Sequence, residues 1–172
     1  GSRPMREALV AAHPSLGPEE LKDALFAARK TLPAAKVFDT FSPYLTAKVD
    51  EKKKSRDPAF AKREAVSTGL LYIGRWYDYD SELSEGQEPF DKELDPRWLD
   101  LAVAMKRFEM VRTAIRPGHA AANEFLQGAF EESLKKSKQL YECHDIIDCM
   151  FRASHPGAKD AVFAVLDKHG KK

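Results

Sequence analysis

RDPAFAKREAVSTGLLYIG, residues Arg56–Gly74, reads as a helix at both ends and along its length. Asp57 offers a carboxylate to the first free N–H groups, and Pro58 takes the first helical position, where a missing N–H costs nothing. Ala61, Ala65 and Gly69 recur every four residues, so they line one side and let a neighbouring helix come close. Gly69 costs about 1 kcal/mol relative to alanine in a helix interior, which close packing must offset. Gly74 then predicts the C-terminal stop.

The same punctuation recurs outside this stretch. Asp95-Pro96 repeats the cap-and-proline start, and Pro18 precedes Glu19 and Glu20, acids well placed in a first turn. Pro43 lies inside the helical pattern 33–49 and predicts a kink or break near Phe41. In Arg97–Ile115 the apolar residues Trp98, Leu101, Met105, Phe108, Val111 and Ile115 fall three and four apart, which predicts one helix. Leu99, Val103 and Met110 widen its apolar face. Leu140, Cys143, Ile147 and Met150 form a similar stripe. No run of β-branched residues alternates with polar ones between tight turns. The chain reads as all-α.

Pro18, Pro58, Pro117 and Pro156 are separated by 40, 59 and 39 residues. PGHAAANEFL from Pro117 aligns with PGAKDAVFAVL from Pro156, and KDALFAA from Lys22 echoes KDAVFAV from Lys159. A period near 40 with two helices per unit is the mark of a helical solenoid, in which each pair buries its apolar face on its neighbours. The longer step leaves some twenty extra residues, mainly between Gly74 and Pro96. The expected organisation is a single helical-repeat domain over 1–172, a piece of a longer protein, with an acidic and aromatic loop inserted at 75–95. Gly1-Ser2 reads as the remnant of a cleaved tag.

These residues resemble a HEAT repeat. That pattern has an Asp in the turn within the repeat, often a Pro beside it, an Arg about six residues on, then small and aliphatic residues. Asp57, Pro58, Arg63, Ala65, Leu70 and Ile73 match it, and Pro43 suits a HEAT first helix. The resemblance is closest at Arg56–Gly74, while the other units lack the Asp-to-Arg pair. It implies a right-handed α-solenoid of about four HEAT-like helix pairs, a scaffold that binds other proteins.

Composition narrows the function. The 172 residues are 43% hydrophobic and 32% charged with a net charge of +1, which argues against a dedicated nucleic-acid binder. The one basic run, Lys48–Arg63, includes Lys52, Lys53, Lys54 and Arg56, which could contact phosphates or an acidic partner. HEAT-like solenoids include DNA glycosylases, so a nucleic-acid-binding module is an alternative reading. Cys143 and Cys149, six apart, would point about 120° apart on one helix, which disfavours a disulfide and suits a reducing, cytoplasmic or nuclear setting. No apolar run reaches the length of a membrane span.

Catalytic motifs are missing: there is no GxSxG, glycine-rich phosphate loop or HExxH. YECHDIIDCM, Tyr141–Met150, holds the one suggestive pair. His144-Asp145 is the dipeptide of metal-dependent HD phosphohydrolases, and such a site would draft His119 and Asp160 or Asp167. Only two groups of the three or four a metal needs are adjacent, so no cofactor or metal is expected and the HD-like hydrolase stands as the enzymatic alternative. His13 and His155 precede prolines and read as turn or cap residues, while His119 and His169 look isolated.

WYDYDSELSEGQEPFDKELDPRW, Trp76–Trp98, remains. From Asp78 to Asp95 it sets eight carboxylates against one lysine, Lys92. Asp78, Asp80 and Glu82 alternate as in an EF-hand, but Leu83 stands where glycine belongs and Pro89 where the bidentate Glu belongs. Trp98 heads an apolar stripe and belongs to the core. Trp76, Tyr77, Asp78, Tyr79, Asp80, Glu82, Glu85 and Glu88 are the expected partner-binding residues: aromatic anchors beside negative charge, suited to a basic partner segment.

Overall fold

The computed structural model describes residues 2–50, 52, 56–79 and 94–170, with the backbone alone at 74–79 and 140. Among the described residues every regular element is helical. Contacts within the chain gather into two compact units, Gly1–Trp98 and Leu99–Lys172.

The first unit is built around α2 (Pro18–Thr31), which packs on α1 (Arg3–Ala11), α3 (Ala34–Thr46) and above all α4 (Pro58–Tyr79). Helix α2 begins as its sequence directs, with Gly17 as N-cap, Pro18 in the first turn, Glu19 and Glu20 beside it, and Arg29 and Lys30 in the last turn. Leu21, Ala24, Leu25 and Ala28 are fully buried, joined in the core by Phe41, Leu45, Val66 and Trp98. The close approach expected from the small residues of α4 is present. A Cβ on Gly69 would sit 2.8 Å from Leu25 Cδ2, so only glycine fits without a shift of that buried leucine.

The start of α4 also follows its sequence. The N–H of Ala59 donates to Asp57 Oδ1 at 2.8 Å and that of Asp50 to Asp57 Oδ2 at 2.8 Å. These N–H groups, Asp50 first and Ala59 next, hold the Asp57 carboxyl below its ordinary pKa. Its far end departs from expectation. Helix α4 runs through Gly74 to Tyr79, so the first residues assigned to an inserted loop are its last turn. Glycine ends a helix when the chain needs a left-handed residue, and among the described glycines only Gly118 has a positive φ, 79°. Helix α3 likewise runs unbroken through Pro43 to Thr46.

The second unit takes in most of α5 (Arg97–Ala104), then α6 (Phe108–Ala114), α7 (Ala120–Lys136), a 3₁₀ turn at Leu140–Cys143, α8 (His144–Arg152) and α9 (Ala158–His169). Its buried residues include Val111, Leu126, Cys143, Cys149 and Met150. The single helix expected over Arg97–Ile115 is two. Lys106 adopts φ 53°, the N–H of Arg107 donates to Ala102 C=O at 3.2 Å and that of Lys106 to Val103 C=O at 3.0 Å. That pair of bonds is a Schellman C-cap, here made without glycine. Periodicity missed it because the apolar spacing continues across the turn. Helix α8 ends in the same way at Ser154, φ 54°, with His155 N–H on Met150 C=O at 2.8 Å. Pro117 and Pro156 lie in the turns just ahead of α7 and α9 and not in their first turns, unlike Pro18 and Pro58.

Candidate functional site

The loop into α4 displays the surviving part of the basic run. Asp57 reaches back to Asp50, whose Oδ1 accepts from the N–H of Lys52 at 3.0 Å, so the loop is closed by its own carboxylates. Lys52 and Arg56 are exposed on it, while Lys53 and Lys54 lie outside the described residues. Lys48 is exposed as well, while Lys62 and Arg63, at the end of the run, are partly buried. Lys62 Nζ donates to Pro14 C=O at 3.0 Å and sits over the Tyr44 ring, and Arg63 stacks 5.2 Å from the Phe60 ring. Of the run's described charges, Lys48, Lys52 and Arg56 face outward while Lys62 and Arg63 are engaged.

At the other end of α4, the sequence reading missed Tyr72, whose side chain is 45% exposed. Trp76 and Tyr79 follow it at four and seven residues within the same helix. A period of 3.6 residues puts positions 72, 76 and 79 on one face and turns positions 77 and 78 away from it. The spacing was visible in the sequence, but the stop assigned to Gly74 hid it. Asp80, Glu82, Glu85 and Glu88 lie outside the described residues, as do the side chains of Trp76, Tyr77, Asp78 and Tyr79.

Of the four residues of the metal alternative, His119 and Asp145 are engaged elsewhere. The N–H of Ala122 donates to His119 Nδ1 at 3.1 Å, making His119 the N-cap of α7. That leaves the proton on Nε2, which lies 2.9 Å from Asp100 Oδ1. His119 is thus a capping residue with both nitrogens engaged. Asp145 Oδ2 accepts from Arg112 Nη1 at 3.0 Å, His144 stands exposed with Nδ1 3.7 Å from Asp145 Oδ1, and Asp160 is exposed on α9. Among the described residues no three His, Cys, Asp or Glu side chains gather as metal ligands would. His155 acts in its turn as expected, accepting from Gly157 N–H at 2.9 Å, and His169 Nε2 lies 3.0 Å from Ser137 Oγ.

Cys143 and Cys149 are free and buried, and burial pushes the Cys149 thiol up to about 11, far from a reactive thiolate. Two further clusters hold the first unit together. Arg97 bonds both oxygens of Asp95 and, through Nη1, Asp39 Oδ1 at 2.8 Å, with its guanidinium 4.3 Å from the Phe38 ring. Phe38 in turn meets Trp98 edge-on at 4.7 Å, which fixes Trp98 as core. His13 Nδ1 lies 2.8 Å from Tyr44 Oη, and the Tyr44 hydroxyl is 3.1 Å from His13 C=O.

No protein-family model matches the chain, and no curated protein or solved structure is similar enough to count as a match. No helix among the described residues is long and apolar enough to cross a membrane.

Proposed function

We propose that the chain is a non-enzymatic helical-repeat scaffold that binds a protein partner through the end of α4 and the acidic segment beyond it. The observation that carries this reading is the aromatic face of α4: exposed Tyr72, with Trp76 and Tyr79 in register after it, leading directly into a run of carboxylates. Large amphipathic rings contribute most to interface energy, and the adjoining negative charge selects a basic partner segment and speeds encounter. The repeat architecture, about four HEAT-like helix pairs, is part of the proposal. It draws support from the tight seat of α4 on α2 at Gly69 and from α7 and α9 opening behind matching Pro-Gly turns.

The test is a pull-down from native extract with the intact chain and with residues 78–93 deleted, followed by affinity measurement on the recovered partner. Trp76→Ala combined with Glu82→Lys and Glu85→Lys is expected to weaken binding at least tenfold with unchanged helical circular dichroism. Raising salt should weaken the intact complex as well. Equal affinity for the intact and triply substituted chains would sink this assignment.

A further inference from the structure

The turn between α1 and α2 is pinned from two sides. Tyr44 of α3 meets it twice, with its hydroxyl 3.1 Å from His13 C=O and 2.8 Å from His13 Nδ1. A carbonyl oxygen only accepts, so the single hydroxyl proton goes there and Nδ1–H donates to Oη. Neutral His13 is then the Nδ1–H tautomer, and in acid the second proton arrives on Nε2. From α4, Lys62 Nζ donates to Pro14 C=O at 3.0 Å and stands 5.9 Å from the centre of the Tyr44 ring.

The surroundings of the imidazole oppose that second proton. Phe41 and Tyr44 of α3 flank the ring at 5.7 and 5.9 Å, and the Tyr44 hydroxyl stays neutral because burial raises its pKa. Lys62 of α4 adds a positive charge. Helix α1 ends on Ala8, Leu9, Val10 and Ala11, which bring no charge, and the α2 carboxylate of Glu20 is folded over Gly17. Burial first and Lys62 second therefore lower the His13 pKa from 6.5. Helix α1 itself has a slight hold on the unit: among its described residues Val10 alone is buried, and Met5 is 61% exposed.

We infer that the His13–Tyr44 contact is a pH-sensitive latch, which keeps α1 on α2 near neutral pH and lets it detach in mild acid. Once the turn opens, the imidazole is in water and takes its proton near pH 6.5. The folded pKa is lower, so each proton bound favours the open form, and the effect grows as pH falls from about 6.5 through the folded value. Between pH 7.5 and 5.5 an open-state pKa of about 6.5 limits the gain in opening to about tenfold. This device is independent of the partner site proposed at the end of α4.

Amide hydrogen exchange of the full chain tests the latch, with each rate divided by the intrinsic chemical rate at the same pH. Residues 7–16 are expected to be less protected than residues 59–73 of α4 at both pH values. Their protection should fall severalfold, up to about tenfold, between pH 7.5 and 5.5, while that of residues 120–136 in the second unit stays constant. His13→Asn keeps a group that can bond the Tyr44 hydroxyl but cannot titrate, so its protection at 7–16 should not change with pH. A fall that persists in His13→Asn, is absent from the wild type, or appears equally at 120–136 overturns the inference. So does equal protection at 7–16 and 59–73, which would mean that α1 leaves only when the whole first unit unfolds.

Discussion

His13 shows how a residue that looks idle in sequence acquires a thermodynamic role. Its ring lies 5.7 Å from Phe41 and edge-on to Tyr44, and Lys62 is close by. Burial first, and Lys62 second, lower its pKa from 6.5. The folded pKa is therefore below the unfolded one, and protonation favours the unfolded chain. The contribution of His13 is intact above about pH 6.5 and is lost as pH falls through the folded value. Between pH 7.5 and 5.5, urea denaturation is expected to show a larger loss for the wild type than for His13→Asn. Equal losses would remove His13 from the account. Lys106 and Ser154 supply a second residue-scale expectation. Both hold left-handed caps that suit glycine, so Lys106→Gly and Ser154→Gly should each stabilise by about 1 kcal/mol in the same assay.

Two glycines inside helices separate propensity from packing at the scale of an element. Nothing lies within 4 Å of a Cβ built on Gly128 of α7, so Gly128→Ala should gain about 1 kcal/mol from helix propensity alone. Gly69→Ala gains the same propensity but drives a methyl into Leu25, and overpacking costs about 1–3 kcal/mol. Its net effect should be a loss of about 1 kcal/mol, read as a lower urea midpoint; a gain equal to that of Gly128→Ala would mean that α4 sits looser on α2. The starts of α2 and α4 were legible because a proline or carboxylate within a few residues decides them. The break at Lys106 was not, since a lysine carries no stop signal and the φ reversal leaves the apolar spacing intact. Gly74 misled for the converse reason: a glycine permits a stop without requiring one.

The whole chain was read as one array, and its contacts gather into two compact units, each with buried apolar residues of its own. A unit with its own core should fold alone. A fragment of residues 94–172, which keeps the Asp95 cap on α5, is expected to be helical and to unfold cooperatively in urea; a featureless, gradual transition would show that it depends on the remainder. At the same scale the candidate sites sorted themselves by partner. Of the residues drafted for a metal, His119 serves as a cap on Ala122 with Asp100 behind it, and Asp145 pairs with Arg112. Tyr72, exposed on α4, joins the candidate residues because the helix continues past Gly74 to Tyr79.

Sequence by itself determined the all-helical class, the proline-led beginnings of α2 and α4, and the small-residue side of α4. Those features rest on interactions within a turn or two of chain, so composition and spacing carry them. Tertiary structure decided which face met which neighbour: Gly69 against Leu25, Arg97 on Asp39, His119 on Asp100, and the exposure of Phe163 and Leu166. Each of these depends on residues far apart in the chain, or on whether another element arrives to exclude water, and neither is encoded in local periodicity.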